Sequence, residues 1–433
     1  MKGLRGICAA LALLASLAGP AAAQASAAHL DRDFGPNGIR FLSSSLSEMT
    51  GVALAGDGRV VVGGQEELVA LLPSGRLDPG FGNGGRVRLV QPPRGEAEIF
   101  AFAIDPASRP VAVGHFGTAS ADGSWVKWEP FVQRFTSAGR LDRGFGEDDG
   151  YAQRDLGLPP VPQAGGTPEA YVDDVAFDSS NHIVLTGGST TGAAAVDGEQ
   201  ARGSFLARLQ ASGRVDRSFA QSGLYWLPGA VAYGAWTVGP RGRVVLGGGR
   251  SMLRLRQSGR PDGRFGAGGY APYPPGTSHG PLLVDRKERT IVSGYLEGFE
   301  HELANGILIR RLQPNGALDR GFGKGGGVRL RIPRFYVADM ALDERGRVLI
   351  AVSLKVRGPV GEPHELALVR LRVDGGLDET FGRGGMIRIS FPGKRRPSVY
   401  LEGIDVRSGQ AAIGATYCGF QAACRPVVAL VDL

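Results

Sequence analysis

Two stretches of this chain space their glycines as G-x-G-x-x-G: Gly80, Gly82 and Gly85, and again Gly321, Gly323 and Gly326. That spacing suits a phosphate cradle, in which a strand enters the glycines and a helix leaves them. Backbone N–H groups at the helix start then meet a pyrophosphate. Neither stretch has that context. The residues after the glycines, such as Arg86 to Leu89, read as a strand, and no ribose-binding acid follows in a βαβ setting. Other catalytic fragments fail in the same way. His-Glu-Leu at His301 and at His364 lacks the second histidine of a zinc-protease helix. Gly276 to Gly280 fits G-x-S-x-G, but Pro274 and Pro275 precede it and a strand follows, so it is no strand-to-helix nucleophile elbow. The six histidines, including His29, His115, His182 and His279, are scattered. No catalytic residue, cofactor or metal site is therefore assigned. Catalysis stays open, because a closed fold brings distant residues together.

The glycines belong to a longer unit. Leu77 to Gly85, L-D-P-G-F-G-N-G-G, has six relatives, starting at Leu30, Leu141, Val215, Pro261, Leu318 and Leu377. Their phenylalanines are Phe34, Phe81, Phe145, Phe219, Phe265, Phe322 and Phe381, spaced 46 to 74 residues apart. Each copy sits in one context. A strand, a tight polar turn and a second strand come first, as in Met340 to Val352. A variable loop leads to a third strand, such as Leu366 to Leu371, and then to the motif. A short fourth strand follows, such as Met386 to Ile389. Short apolar runs bounded by Gly, Asp, Asn and Pro mark strands, and no amphipathic helical window competes. Four strands per copy and seven copies predict an all-β, seven-bladed β-propeller. The first copy supplies only the motif and a fourth strand, Gly38 to Leu42, while the last repeat stops at a third strand, Val427 to Leu433. The N-terminal strand is therefore expected to complete the last blade and close the ring, which removes an exposed edge.

The motif has a physical reading. Its aspartates, Asp31, Asp78, Asp142, Asp216, Asp262, Asp319 and Asp378, each precede the phenylalanine by three residues. A carboxylate placed there caps a single turn by accepting its backbone N–H groups. The ring folds back between sheets, each burial contributing about 2 kcal/mol. The glycines permit positive φ on entering the fourth strand. A repeated calcium site on these aspartates lacks the clustered oxygen ligands that calcium takes.

The pattern L-x-x-x-G-x-L-D-x-x-F-G-x-G-G, as in Leu71 to Gly85 and Leu371 to Gly385, resembles the delta-60 repeat of bacterial exported and surface proteins. The resemblance covers nearly all of the chain after the leader. It implies a propeller-like fold and brings no activity or catalytic residues. Three departures, Ala220 for Gly, Pro261 for Leu and the Glu147-Asp148-Asp149 run, put the local turn in question.

The first 23 residues read as a secretory signal peptide. Lys2 and Arg5 are its positive start, Ile7 to Gly19 its apolar run, and Ala21-Ala22-Ala23 its cleavage site. Residues 24–433 then form one propeller domain, expected to be exported, monomeric and without a transmembrane anchor. Export leaves two cysteines, Cys418 and Cys424, and an oxidising compartment favours a disulfide between them. The formal charge is +7, or +5 without Lys2 and Arg5, and its densest cluster is Lys394-Arg395-Arg396. No nucleic-acid motif accompanies that charge.

Propeller geometry sorts the loops. Turns between strands one and two, and between three and four, share one face. The two-to-three loops and the links between blades share the other, and they vary most. Blade 1 has almost no two-to-three loop at Gln65-Glu66. Blade 2 is given the loop His115 to Pro130, blade 3 the loop Ser189 to Gly203, and the link from Arg154 to Tyr171 is longer still. Irregular loops on a rigid scaffold are where binding concentrates. This face carries Trp125, Trp128, Tyr171, Tyr225, Trp226, Tyr233, His301 and His364 as candidates. Aromatic rings there would stack on a glycan or cell-wall polymer, or pack on a protein partner; ordinary packing between blades is the alternative. Aligning the innermost strands puts Gly51, Ala101, Asp174, Ala235, Pro281, Asp339 and Gly403 at one level of the channel. Asp174 and Asp339 stand out as groups for a cation or a substrate hydroxyl, or simply as solvated acids at a channel mouth.

Overall fold

Val60 to Gly64 is apolar throughout and buried throughout, as are Val244 to Gly248 and nearly all of Val348 to Leu354. Such runs suit strands covered on both faces. In the computed structural model each is the second strand of a four-stranded antiparallel sheet. The structure describes residues 29–433 apart from 44–45, 47, 91–94, 120–124, 147–150, 153–168, 191–201, 228–232, 249, 278–279, 296–305, 333–334, 355–364, 392–396 and 420–423. Residues 1–23, expected to be a signal peptide, lie outside the described residues.

Seven such sheets form a ring, the expected propeller. From channel to rim, blade 1 runs Met49–Leu54, Val60–Gly64, Glu67–Leu71 and Arg86–Arg88. Blade 2 starts at Gly95–Ile104 and blade 3 at Glu169–Phe177. Blade 4 starts at Tyr233–Val238, blade 5 at Leu282–Val284, blade 6 at Phe335–Leu342 and blade 7 at Ser398–Arg407. The apolar cores lie between neighbouring sheets. One joins Leu349 and Leu368 of blade 6 to Ile413 and Val427 of blade 7; another joins Val61 of blade 1 to Ile99 and Phe131 of blade 2.

The ring closes as its ends predict. Ile39–Phe41 pairs antiparallel with Arg425–Asp432, Ile39 opposite Ala429 and Phe41 opposite Val427. His29–Leu30 adds two further pairs to the same strand.

The motif is a capped turn. The backbone carbonyl of Asp78 accepts the Phe81 N–H at 3.0 Å, and its Oδ1 accepts the Gly80 N–H at 2.9 Å. Asp216, Asp262, Asp319 and Asp378 repeat both bonds, as does Asp31. All seven phenylalanines are fully buried. Ala220 keeps the turn: its φ of 46° matches the left-handed conformation of Gly82 and Gly323 at the same position, which an L side chain enters only with strain.

A second partner of the aspartate was not read from the sequence. The other carboxylate oxygen takes an arginine eight residues earlier, on the third strand: Arg134–Asp142, Arg208–Asp216, Arg254–Asp262, Arg311–Asp319 and Arg370–Asp378, at 2.7–3.0 Å. The same guanidinium lies over the motif ring, 4.2–4.6 Å from its centroid. Blade 1 has Ala70 at that place, and Arg59, just before the second strand, reaches Asp78 instead, at 3.1 Å. Several of these arginines also cross to the next blade. Arg311 Nη1–H donates to Val373 O at 2.6 Å, Arg59 Nη1–H to Ser137 O at 2.7 Å, and Arg208 Nη1–H to Gln257 O. Beside them a backbone N–H makes the same crossing, as from Gly82 to Ala138 O at 2.8 Å. The motif thus clips each blade to the next except at the seam of blades 6 and 7, where neither crossing is found among the described residues.

One loop expectation fails. Residues 115–130 of blade 2 are mostly strand: Pro110–Ala119 and Trp125–Arg134 form one long hairpin, paired from Val111–Arg134 out to Ala119–Trp125. β-Branched and aromatic residues such as Thr118, Trp125, Val126 and Trp128 suit such an extension of the ladder. There Trp128 pairs parallel with Glu169 of blade 3, which ties two blades together. The expected disulfide joins Cys418 and Cys424 across the two-to-three loop of blade 7.

Candidate functional site

The innermost strands line the channel, and their ladders slip by one residue near the loop-rich face. The extra residue is Thr50, Phe100, Asp173, Gly234 and Glu402 in blades 1, 2, 3, 4 and 7, and Val337 in blade 6. A bulge re-aims a side chain that strict alternation would turn away. Beyond it, Gly51, Ala101, Asp174, Ala235 and Asp339 each face the fourth residue of the second strand, and Gly403 faces Gly414, the fifth. They share one level, as aligned from the sequence. Pro281 joins them through its carbonyl, which accepts the Ser293 hydroxyl at 3.2 Å.

A cavity of 460 Å³ opens at this level. Four carboxyls line it, Asp173, Asp174, Asp339 and Glu402, together with Thr50 and Ser204 and the rings of Phe100 and Trp236. Asp174 is fixed on both oxygens. Its Oδ1 accepts the Val175 N–H and its Oδ2 the indole N–H of Trp236 in blade 4, both at 2.8 Å. Asp339 accepts the Met340 N–H at 2.8 Å and the Ile404 N–H of blade 7 at 3.1 Å. Two residues after Gly403, Asp405 repeats the pattern with the Val406 N–H at 2.8 Å and the Leu54 N–H of blade 1 at 2.7 Å. These three carboxyls therefore staple the inner ring as well as line it.

Crowding makes the belt weakly acidic. Burial pushes Asp174, Asp339 and Asp405 above the usual carboxylate range, against the hydrogen bonds that favour charge. The Asp174 and Asp405 charges raise Asp339 further. Asp174 nevertheless keeps an edge open to channel water. Asp173, free of such staples, is pushed up to about 6 by burial and by the Asp174 charge. Burial also raises Glu402, with Glu48 adding to it against a hydrogen bond from Thr416. The arrangement can accept hydrogen bonds from hydroxyls, attract a cation, or lend a proton from Asp173 near neutral pH. Among the described residues no group of three or more His, Cys, Asp and Glu side chains converges as metal ligands.

The other candidates spread out. Trp125 and Trp128 lie on the long hairpin of blade 2, and Tyr233 begins the innermost strand of blade 4; their side chains lie outside the described residues. Tyr171 covers Gly188, whose Cα would hold a Cβ only 2.5 Å from the tyrosine hydroxyl. Tyr225 and Trp226 lie on the outer strand of blade 3, packed on neighbouring cores; Trp226 meets Phe205 edge-on at 6.0 Å. His301 and His364 lie outside the described residues. Of these candidates the cavity gathers Asp174 and Asp339, with Trp226 behind its wall at Phe205. Asp173, Glu402, Trp236 and Asp405 were not read from the sequence. Tandem acids at Asp173-Asp174 on an innermost strand were the available signal.

No family model matches the chain, and no curated protein matches it. Solved structures resemble it in fold. A protein of unknown function from Dyadobacter fermentans DSM 18053 aligns over 80% of this chain and 97% of its own, at 10% identity and a TM-score of 0.42. The polysaccharide lyase Uly1 aligns over 88% of this chain and 89% of its own, at 9% identity and TM-score 0.42. The gluconolactonase XC5397 from Xanthomonas campestris aligns over 75% and 93%, at 11% identity and TM-score 0.32. At these levels the likeness concerns architecture only.

Proposed function

We infer that the protein is an exported binding propeller of the delta-60 type that holds a glycan at the channel mouth on its loop-rich face. The acidic cavity carries this reading. Its 460 Å³ falls within the range of small-ligand sites. Carboxylates and hydroxyls on bulged inner strands offer acceptors for sugar hydroxyls, and Phe100 and Trp236 offer apolar surface for a sugar ring. Export is supported by the leader, and a monomer by a ring that closes within one chain. A glycan and cell-wall polymer array tests the reading, probed with the wild-type protein, with Asp173→Ala/Glu402→Ala, and with Trp125→Ala/Trp128→Ala. Retention of a glycan that the acid variant loses supports the cavity. No retained glycan, or retention unaffected by the acid variant, overturns it.

One observation favours a second reading, a hydrolytic or lyase site. Asp173 and Asp174 are adjacent in the cavity lining, and burial with the Asp174 charge pushes Asp173 up to about 6, which poises it to carry a proton near neutral pH. New reducing ends or unsaturated products released from an array-positive glycan, and lost in Asp173→Asn, would select this reading over simple binding.

A further inference from the structure

The rim of the propeller is not uniform. The outer strands of blades 2, 3 and 4, Tyr151–Ala152, Leu224–Leu227 and Tyr270–Pro272, hold no cation. Those of blades 5, 6, 7 and 1 all do: Arg329, Arg388, Arg40, and Arg86 with Arg88. These four blades are consecutive around the closed ring, so the arginines occupy one continuous arc of more than half a turn.

The arc is built into clefts. Between blades 5 and 6 a cavity of 730 Å³ is lined by Arg310, Lys324 and Arg329, opposite the blade 6 turn at Asp374. At the seam of blades 6 and 7 a cavity of 510 Å³ is lined by Arg32, Arg383 and Arg388. On blade 1 a cavity of 400 Å³ is lined by Arg86 and Arg88, with Glu67. In blade 7, Phe41 stands at the strand position of Arg388 and Arg88, and Arg425 from the adjoining strand stacks on its ring at 4.2 Å.

Intramolecular pairing leaves much of this charge unused. Glu67 neutralises Arg86, and Glu365 neutralises Arg388. Arg32, Arg88, Lys324, Arg329, Arg331 and Arg383 are exposed and have no carboxylate in ion-pair distance among the described residues. Asp33 and Glu379, exposed in adjoining motif turns, are too few to balance them. The Arg310 Nε–H, closed off from solvent in the first cleft, has no acceptor there. Protection of sheet edges explains some charge on outer strands, but not the cations that line the clefts outside those strands, Arg310, Lys324 and Arg383.

We propose that this arc binds a linear polyanion, a flexible chain carrying repeated carboxylate or phosphate groups, laid along the rim. Shape selects the class. The rim is convex through four blades, so a flat anionic bilayer touches one or two of them at a time. A flexible polymer follows the curve and reaches every cleft. The surface is separate from the channel mouth, and neither reading depends on the other.

The test measures binding of fluorescent polygalacturonate and polyphosphate, with dextran as the uncharged polymer and phosphatidylglycerol vesicles as the flat surface. Four proteins are compared: wild type; Arg88→Glu/Arg329→Glu/Arg383→Glu; Arg143→Glu/Arg217→Glu/Arg264→Glu, which alters the same number of exposed arginines on blades 2 to 4; and Asp173→Ala/Glu402→Ala. Wild type should bind at least one polyanion, with affinity falling linearly in log–log against salt as counterions are released. The rim triple should lose about tenfold or more, equivalent to about 1.4 kcal/mol, with a shallower salt slope. The other triple and the channel variant should stay within about twofold. The two polyanions then identify the anionic group. Equal losses in both triples, no polyanion binding at about 50 mM salt, or tighter binding to vesicles than to either polymer would overturn the proposal. Equal melting temperatures of the two triples show that the loss is one of binding rather than of folding.

Discussion

Asp339 of blade 6 accepts the backbone N–H of Ile404 in blade 7 at 3.1 Å, so a single carboxyl stitches two inner strands together from inside the channel. Asp339→Ala leaves that N–H without a partner, at a cost of about 1–3 kcal/mol. The sign of its pH dependence follows from the raised native pKa. A raised group contributes its full stabilisation below the unfolded value and loses it as pH rises through the folded one. The gap between wild type and Asp339→Ala should therefore be wider at pH 4 than at pH 8 in urea unfolding. A gap that widens with pH would contradict the assignment.

Asp173 makes no such stitch, and its carboxyl is raised to about 6 beside Asp174. Above the unfolded value near 3.8 the native state is penalised progressively, and the penalty is complete above pH 6. Asp173→Asn should melt higher than wild type at pH 8 and at the same temperature below pH 4. Calorimetry at the two pH values reads the difference.

Arg311 pairs with Asp319, donates to Val373 O of the next blade and covers the ring of Phe322. Burial pushes Asp319 up, but Arg311 and the Gly321 N–H outweigh it and hold the carboxyl below its usual range. Arg311→Ala leaves Asp319 with the Gly321 N–H and Arg289 at 3.6 Å, so the loss should fall below about 3–5 kcal/mol, the cost of an uncompensated buried charge. Arg311→Lys keeps the charge without the planar fork and should recover only part. Midpoints of chemical unfolding for both variants measure this.

Ala220 occupies a left-handed turn that glycine fills in most other copies. Ala220→Gly relieves about 1–2 kcal/mol of backbone strain against about 0.5–1 kcal/mol of added chain entropy. A modest rise in melting temperature is expected, and a fall would show that the alanine methyl contributes packing that outweighs the strain.

Deleting Leu30 to Leu42 removes Phe34, which is fully buried, and the outer strand of blade 7. Loss of one buried aromatic alone costs about 3–5 kcal/mol, and the freed edge at Val427–Ala429 invites aggregation. Hydrogen exchange should show protection lost first in blade 7. Unchanged thermal stability would mean that closure contributes little.

The fold was legible because each blade signs itself with Phe and Asp at a spacing that survives variable loops. Phe265 and Asp262 are readable even where Pro261 replaces leucine. The arginine partners were harder to see. They lie inside the third strand, where a residue such as Arg370 in Leu366–Leu371 looks like an interruption of an apolar run rather than a partner eight residues distant. Ala70 also breaks the series in blade 1. At the channel, alternation assigns Asp173 and Asp174 to opposite faces. The bulge defeats that rule, and a bulge leaves no reliable trace in residue types. Trp125 and Trp128 fall in the stretch expected as a loop, yet Trp125–Arg134 continues the ladder with Pro110–Ala119.

The pairing of Ile39 with Ala429 also orders events in time. A chain emerging from a ribosome or a translocation pore presents Ile39 long before Ala429. Blades 1 to 6 can stack as they appear, but the first strand has nowhere to settle until the last one arrives. Until then one flank of blade 1 and one of blade 6 stay bare, and pairings this distant form slowly. Loss of the final strand would therefore leave an open arc with two sticky ends, dependent on a holdase, rather than a smaller ring.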